Sequence, residues 1–298
     1  FLLIAIGWLV RATWLASDTF WRPIEKIAYY LLIPALVIHD LYSADLGSLP
    51  FARMAIALLG AIAIMTALLL ILRPGLSPLL ARRDESFTSV FQGSIRANFF
   101  IILGAAPALL PADSAALVIV AVAFFTVTVN ILSVLVLARW GSEGEANLAS
   151  LLKKLLTNPF IVATAIGVGA NLSGLEVPDV VDTTIAMLAG AGVPAALLTA
   201  GSGLRLASIG EHLPGILTAC IARLLAMPAI AYGLGWLMGL EASVLGMLVL
   251  FHGQPTSTSS YVLARQMGGD HELMAAILTT QTILAIVTIP ALLTIFGV

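Results

Sequence analysis

Two polar stretches interrupt an otherwise apolar chain, and both contain residues able to bind a ligand. In "LVLFHGQPTSTSSYVLA" (Leu248–Ala264), nine consecutive residues from His252 to Ser260 lack any large apolar side chain. Pro255 has no N–H and clashes with the preceding turn, so a helix breaks near it. The hydroxyls of Thr256, Ser257, Thr258, Ser259 and Ser260 are available to backbone groups freed by that break. A proline kink patched by hydroxyls is the simpler reading, but His252 and Gln254 exceed what one kink needs. The second stretch is "FQGSIRANFF", with Gln92, Gly93, Ser94, Arg96 and Asn98 inside an apolar run. An arginine there costs about 2.5 kcal/mol or more, so it should face a partner or a wet cavity. Snorkelling, or pairing with backbone carbonyls, is the structural alternative. Asn98 fits the N-cap of a second half-helix, or equally an interhelical hydrogen bond. Two broken helices present unpaired N–H groups and partial positive charge at the start of each second half, and such ends attract anions. With Arg96 nearby, the implied ligand is a small organic anion such as a carboxylate. The expected binding residues are Arg96, Asn98, Gln254, Pro255, Thr256, Thr258 and Ser259. His252 is a candidate carrier of a coupled proton or a simply hydrogen-bonded imidazole. Asn130 and Gln281 are expected behind the site, and Arg223 in a structural role.

The elements that must hold these residues follow from composition. Of 298 residues, 60% are hydrophobic and only 10% charged, with mean hydropathy +1.06. That leaves too little polar surface for a soluble domain. The apolar runs are about 20 residues long, so they read as helices and not barrel strands. The expected fold is an all-α polytopic membrane protein. Ten spans are expected, at 1–16, 21–44, 50–73, 87–110, 114–139, 151–173, 180–204, 212–238, 242–265 and 272–297. The chain opens on Phe-Leu-Leu, and the first segment reads as a spanning helix and not a signal peptide. The longest polar connection is "RWGSEGEANLAS", and no attached soluble domain is expected. A formal net charge of −2 argues against nucleic acid, and the single Cys220 supports no disulfide framework. "GGDHELM" (268–274) is a loop and helix start with Asp270 or His271 near the cap, not a zinc site. No metal or cofactor motif is present. Trp8, Trp14, Trp21, Trp140 and Trp236 fit interfacial belts.

Arg11, Arg22, Lys26, Arg73, Arg82, Arg83, Arg139, Lys153, Lys154, Arg205 and Arg265 fall on one side, against Arg53 on the other. Positive loops face the cytoplasm, so both termini are expected outside, in the inner or plasma membrane of the cell. The sequence also repeats itself. "IAIG" at 4–7 returns as "TAIG" at 164–167, and "IPAL" at 33–36 as "VPAA" at 193–196, both offset by 160. The same offset carries Asn98 onto Thr258. The expectation is a first five-helix repeat over 1–139, a cytoplasmic linker at 140–150 and a second repeat over 151–298. Five spans being odd, the second copy is inverted, with spans four and nine as broken crossover helices. Inverted repeats are typical of secondary transporters.

The final quarter, "YVLARQMGGDHELMAAILTTQTILAIVTIP" (261–290), resembles the end of the auxin efflux carrier family, which includes the plant PIN-FORMED proteins and bacterial permeases. The matching pattern is the broken-helix Pro255, then Tyr261, Val262, Ala264 and Arg265, a Gly-Gly-Asp turn and a late Pro290. "GWLVRATWLAS" (7–17), "YYLLIPALVIHDL" (29–41) and "RANFFIILGAAP" (96–107) resemble the family's first, second and fourth spans. The resemblance implies an elevator-type mechanism. Spans 1, 2, 6 and 7 would form a scaffold that dimerises, and spans 3–5 and 8–10 a moving transport domain. It implies organic anion cargo, indole-3-acetate-like or malate-like, and an asparagine near each crossover. Asn98 matches the first; Thr258 and Ser259 stand where the second is often found. The long cytosolic loop of many plant members is missing, which points to a bacterial-type member.

The expected function is therefore a permease or efflux carrier of small organic anions. The alternative keeps the crossover architecture but carries another cargo, as a sodium- or proton-coupled symporter like the bile-acid symporters. Antiport by a mid-membrane Asp pair is disfavoured, because no carboxylate falls at the middle of spans four, five, nine or ten. An intramembrane hydrolase using His252 with Ser257 or Ser259 lacks any nucleophile motif, so no enzyme is expected. A sensor or scaffold without transport would need a partner that the sequence does not reveal.

Overall fold

A computed structural model of the chain describes residues 1–44, 51–80, 83–110, 114–142, 156–174, 177–204 and 212–297. Arg82, Lys153, Lys154 and Arg205, and residues 143–150 of the expected linker, lie outside them. The described residues are helices and their connections, with no strand among them. The helices are α1 (Leu2–Thr13), α2 (Asp18–Ile27), α3 (Ile33–Tyr42), α4 (Phe51–Leu76), α5 (Asp84–Ile95), α6 (Phe99–Leu109), α7 (Ser114–Trp140), α8 (Pro159–Ser173), α9 (Asp179–Ser202), α10 (Leu213–Ile221), α11 (Met227–Leu237), α12 (Ala242–His252), α13 (Thr258–Gln266) and α14 (His271–Phe296). Two π-helical turns, Ala28–Leu32 and Ala222–Ala226, join α2 to α3 and α10 to α11.

Five continuous stretches are long and apolar enough to cross a membrane: Phe51–Leu76, Ala116–Trp140, Asp179–Ser202, Leu213–Leu237 and His271–Phe296. At 1.5 Å per residue they extend over about 36–39 Å, more than the roughly 30 Å hydrocarbon core. With the shorter apolar helices α1, α8 and α12 they make this a membrane protein.

Helix ends follow local chemistry. Ser17 caps α2 by accepting from Thr19 N at 3.1 Å. Asn158 caps α8 by accepting from Phe160 N at 2.9 Å, and that helix ends on left-handed Gly174. Each π turn lies just before a proline, Pro34 or Pro228. Proline's ring crowds the carbonyl four residues back, and its missing N–H removes one ladder bond. The wider turn absorbs the mismatch: Ile33 N–H reaches Ala28 O and Met227 N–H reaches Ala222 O.

The chain groups into two compact units. The first comprises Phe1–Leu49, Leu103–Ala123 and Leu148–Leu204. In it α1 packs on α9, and both α8 and α9 pack on α3. Glycines make these crossings possible. A Cβ on Gly7 would run into the Leu198 carbonyl, and one on Gly201 into the Ile4 carbonyl. A Cβ on Gly167 would meet Leu41 Cβ at 2.9 Å and the Ile38 carbonyl oxygen at 3.3 Å. Close backbone approach through small residues is how membrane helices gain contact without a hydrophobic driving force. Asn171 on α8 donates to the Tyr42 and Ala44 carbonyls, both at 2.8 Å, closing the end of α3.

The second unit comprises Pro50–Ile102, Phe124–Asn147 and Arg205–Val298. One end is tied by aromatic and acidic groups. Arg73 pairs with Asp84 and stacks over Trp140, 4.7 Å from the ring centroid, with Phe87 beside it. Asp270 caps α14 by accepting from Leu273 N, and its carboxylate also accepts from Ser86 Oγ at 2.7 Å. Of the two cap candidates in that loop, Asp270 is the one in use.

The glycine crossings give a direct test. Gly7→Ala and Gly201→Ala should each destabilise by about 1–3 kcal/mol through overpacking, read as a lower thermal midpoint in detergent. Gly169→Ala, on α8 with open space around it, should hold or raise the midpoint. Equal behaviour of all three variants would contradict the packing.

Candidate functional site

Both polar stretches lie in the second unit. α5 ends at Ile95, and Arg96 leaves it extended at φ −82°, ψ 146°. α6 starts at Phe99, and the Asn98 side chain caps it by accepting from Phe100 N at 3.2 Å. α12 ends at His252 and α13 starts at Thr258, with Pro255 between. The two interruptions touch: Asn98 N–H donates to the Pro255 carbonyl at 2.8 Å. Each break thus satisfies one backbone group freed by the other.

Arg96 runs alongside this junction, buried at 6% exposure. Its Nη1 donates to Asn130 Oδ1 at 2.8 Å and Ser133 Oγ at 3.4 Å, and its Nη2 to Ser259 Oγ at 2.9 Å. So Arg96, Asn98, Pro255, Ser259 and Asn130 come together, and Ser133 joins them from α7. Ser133 was not anticipated; it follows Asn130 by three residues, the spacing that puts two side chains on one helix face. Ser259 is exposed and Thr258 and Asn130 are half-buried, whereas Asn98, Thr256 and Ser257 are buried. The accessible edge of the crossing is therefore at the start of α13.

The hydroxyls behave differently from expectation. Thr256 Oγ1 pairs with Ser260 Oγ at 2.9 Å, and Ser257 Oγ with Ser259 Oγ at 2.6 Å. They bond one another and Arg96; the freed backbone groups are met by side chains from other helices. Gln281 on α14 accepts from Thr256 N at 2.8 Å and donates from Nε2 to the Gly93 and Ala219 carbonyls, both at 3.0 Å. Arg223 donates to the Gln254, Ile95 and Phe251 carbonyls. Sequence reasoning gave Arg223 only an unspecified structural place. Its signal was an arginine in the middle of an apolar helix, a rare and costly position.

Gln254 turns its amide back on its own helix, donating to Leu250 O at 2.7 Å. His252 is fully buried and edge-on to Phe125 and Phe251, both rings 5.9 Å away centroid to centroid. Arg223 and the Leu58 backbone are its polar neighbours. Among the described residues, the buried side chains of ionic type are Arg96, Arg223, His252 and Asp270, and no cluster of metal-ligating groups occurs.

An interior of this kind, with broken helices braced by polar side chains, suits a protein that moves solutes. Residues 1–293 match the family model described as membrane transport protein, the auxin-efflux-carrier-like family. The chain belongs to that family. No curated protein matches the sequence. The family is one of membrane transporters and not of enzymes. The site described is thus the polar junction inside a membrane transport protein.

Gln281 generates the prediction for this site. Gln281→Leu keeps the volume but leaves the Thr256 N–H and the Gly93 carbonyl without their partner, at about 1–3 kcal/mol for each group left unsatisfied, while the Ala219 carbonyl keeps the Ala222 N–H. The thermal midpoint in detergent should fall well below that of Asn130→Ala, whose parent side chain is half-buried and, among the described residues, hydrogen-bonds to Arg96 alone. A Gln281→Leu protein as stable as the parent would show that the brace does not hold the breaks.

Proposed function

We propose that this chain is a secondary transporter of small organic anions, binding its cargo at the junction of the two broken helices. The observation that carries this reading is the Asn98 N–H to Pro255 O bond at 2.8 Å. It brings the N-terminal ends of α6 and α13 together beside Arg96. Two such ends and a guanidinium favour a carboxylate. Thr258 and Ser259 line the accessible side of this junction, with the buried Arg96 and Asn98 behind them. Gln254, Pro255 and Thr256 shape it, with Asn130 and Gln281 as supports.

In this reading the ten spans form a 5+5 inverted repeat, with α5–α6 and α12–α13 as its crossover helices. The glycine contacts favour it: Gly7 lies against Leu198 and Gly167 against Ile38, and each residue of the second pair is related to one of the first by 160 positions. Duplicated, inverted halves with discontinuous helices suit alternating access. Spans 1, 2, 6 and 7 then act as a dimerising scaffold and spans 3–5 and 8–10 as an elevator-type transport domain. The protein sits in the cell membrane, multi-pass, with both termini outside and the linker at 140–150 inside. It is a bacterial-type member of its family.

Uptake of labelled indole-3-acetate and malate into proteoliposomes tests this. Arg96→Ala and Asn98→Ala should each lower saturable anion uptake at least about tenfold, equivalent to about 1.4 kcal/mol, with an unchanged size-exclusion profile. Undiminished uptake in both variants would remove the junction as the binding site. Imposed sodium and proton gradients separate this uniport-like reading from the coupled symporter. If His252 carries a proton, His252→Gln abolishes any dependence on the pH gradient.

A further inference from the structure

The first halves of the two broken helices present the opposite problem from the second halves. α5 and α12 point their C-terminal ends inward, and each such end carries carbonyls without intrahelical donors and about −0.5 of an elementary charge. Both ends converge on one side chain. Arg223 Nη1 donates to Ile95 O at 3.2 Å, at the last residue of α5. Its Nη2 donates to Phe251 O at 3.1 Å, at the end of α12, and its Nε to Gln254 O at 2.7 Å, in the break itself. Arg223 is 0% exposed, and among the described residues no carboxylate pairs with it. Its Cζ lies 5.6 Å from the Phe125 ring centroid, a cation–π distance. The π turn at Ala222–Ala226 sets its position on the helix, and such turns often mark functional positions.

A single positive charge thus faces two negative helix ends, through three carbonyls, in a dry setting. Unwound carbonyls and half-helix C-termini are the groups with which discontinuous-helix transporters coordinate a monovalent cation. We propose that Arg223 is a built-in cation: its guanidinium permanently occupies a carbonyl seat between the C-terminal ends of the two broken helices and positions their crossing, so no inorganic cation binds there. Arg223 is a positioning residue. Among the described residues its hydrogen bonds go to two helix ends and to the break that follows one of them, and Arg96 is the guanidinium nearer the accessible edge. The proposal depends on the geometry of the second unit and not on the identity of the cargo.

The test uses thermal unfolding of the full-length protein in detergent, with no transport assay required. Arg223→Ala should lower the midpoint by about 10 °C, as expected for a buried site losing several interactions in a domain of this size. Adding methylguanidinium at about 10 mM, far below denaturing concentrations, should restore at least half of that loss by occupying the vacated seat. The same salt should leave the parent protein unmoved, as should exchange of sodium for choline. If the alanine variant does not fold, Arg223→Lys and Arg223→Gln decide the matter. Lysine keeps the charge on fewer matched donors, glutamine keeps donors without charge, and lysine should be the more stable. Three results overturn the proposal. One is Arg223→Met as stable as the parent, the outcome when a buried charge is replaceable by apolar packing. Another is glutamine equalling or exceeding lysine. The third is a sodium-dependent midpoint in the parent that Arg223→Lys abolishes. Failure of anion uptake in the parent would leave all of these midpoints unchanged, so the two readings fail separately.

Discussion

A break in a membrane helix frees backbone groups that hydrocarbon cannot satisfy, and the second unit is organised around meeting that demand. The carbonyls of Ile95, Phe251 and Gln254 go to Arg223. The Thr256 amide and the carbonyls of Gly93 and Ala219 go to Gln281. Asn98 and Pro255 serve each other. Four residues from four segments therefore account for eight backbone groups, seven at the two breaks and one, the Ala219 carbonyl, in α10. Without them the two breaks would leave buried amides and carbonyls unmet, each a loss comparable to a full hydrogen bond.

This arrangement separates the two kinds of helix end by charge. The C-terminal ends of α5 and α12 turn inward onto the buried Arg223. The N-terminal ends of α6 and α13 open beside Arg96 and the exposed Ser259. In the proposed function the inward pair is structural and the outward pair is for cargo. In that reading the chain keeps its own cation at the negative ends and offers the positive ends to an anion. Gly93 makes the geometry possible, because a Cβ there would sit 2.7 Å from Ile277 Cγ2 and hold α14, with Gln281, away from α5.

The first unit solves a simpler problem by simpler means. Its helices are held by close backbone contact at Gly7, Gly167 and Gly201 and by Asn171 closing the end of α3. No buried arginine is needed, since α1, α8 and α9 are unbroken. Both units share the proline-induced π turn. In one it merely absorbs Pro34; in the other it also fixes where Arg223 sits along the helix.

Much of this was legible in the amino-acid order. Apolar run length set the helical membrane class, because period and length of hydrophobicity are local properties. Pro255 and Asn98 announced the two breaks, since a missing N–H and a capping side chain act on their own turn. The charges of Arg96 and Arg223 announced that something would compensate them. What that compensation would be was not legible. The hydroxyls of 256–260 looked sufficient to heal their own break, yet Thr256 pairs with Ser260 and Ser257 with Ser259, and the healing comes from Arg223 and Gln281, up to 128 and 188 residues from the groups they satisfy. Local propensity has no term for a partner at that separation. Which carbonyl a distant guanidinium finds depends on how helices cross, and only the tertiary structure decided that.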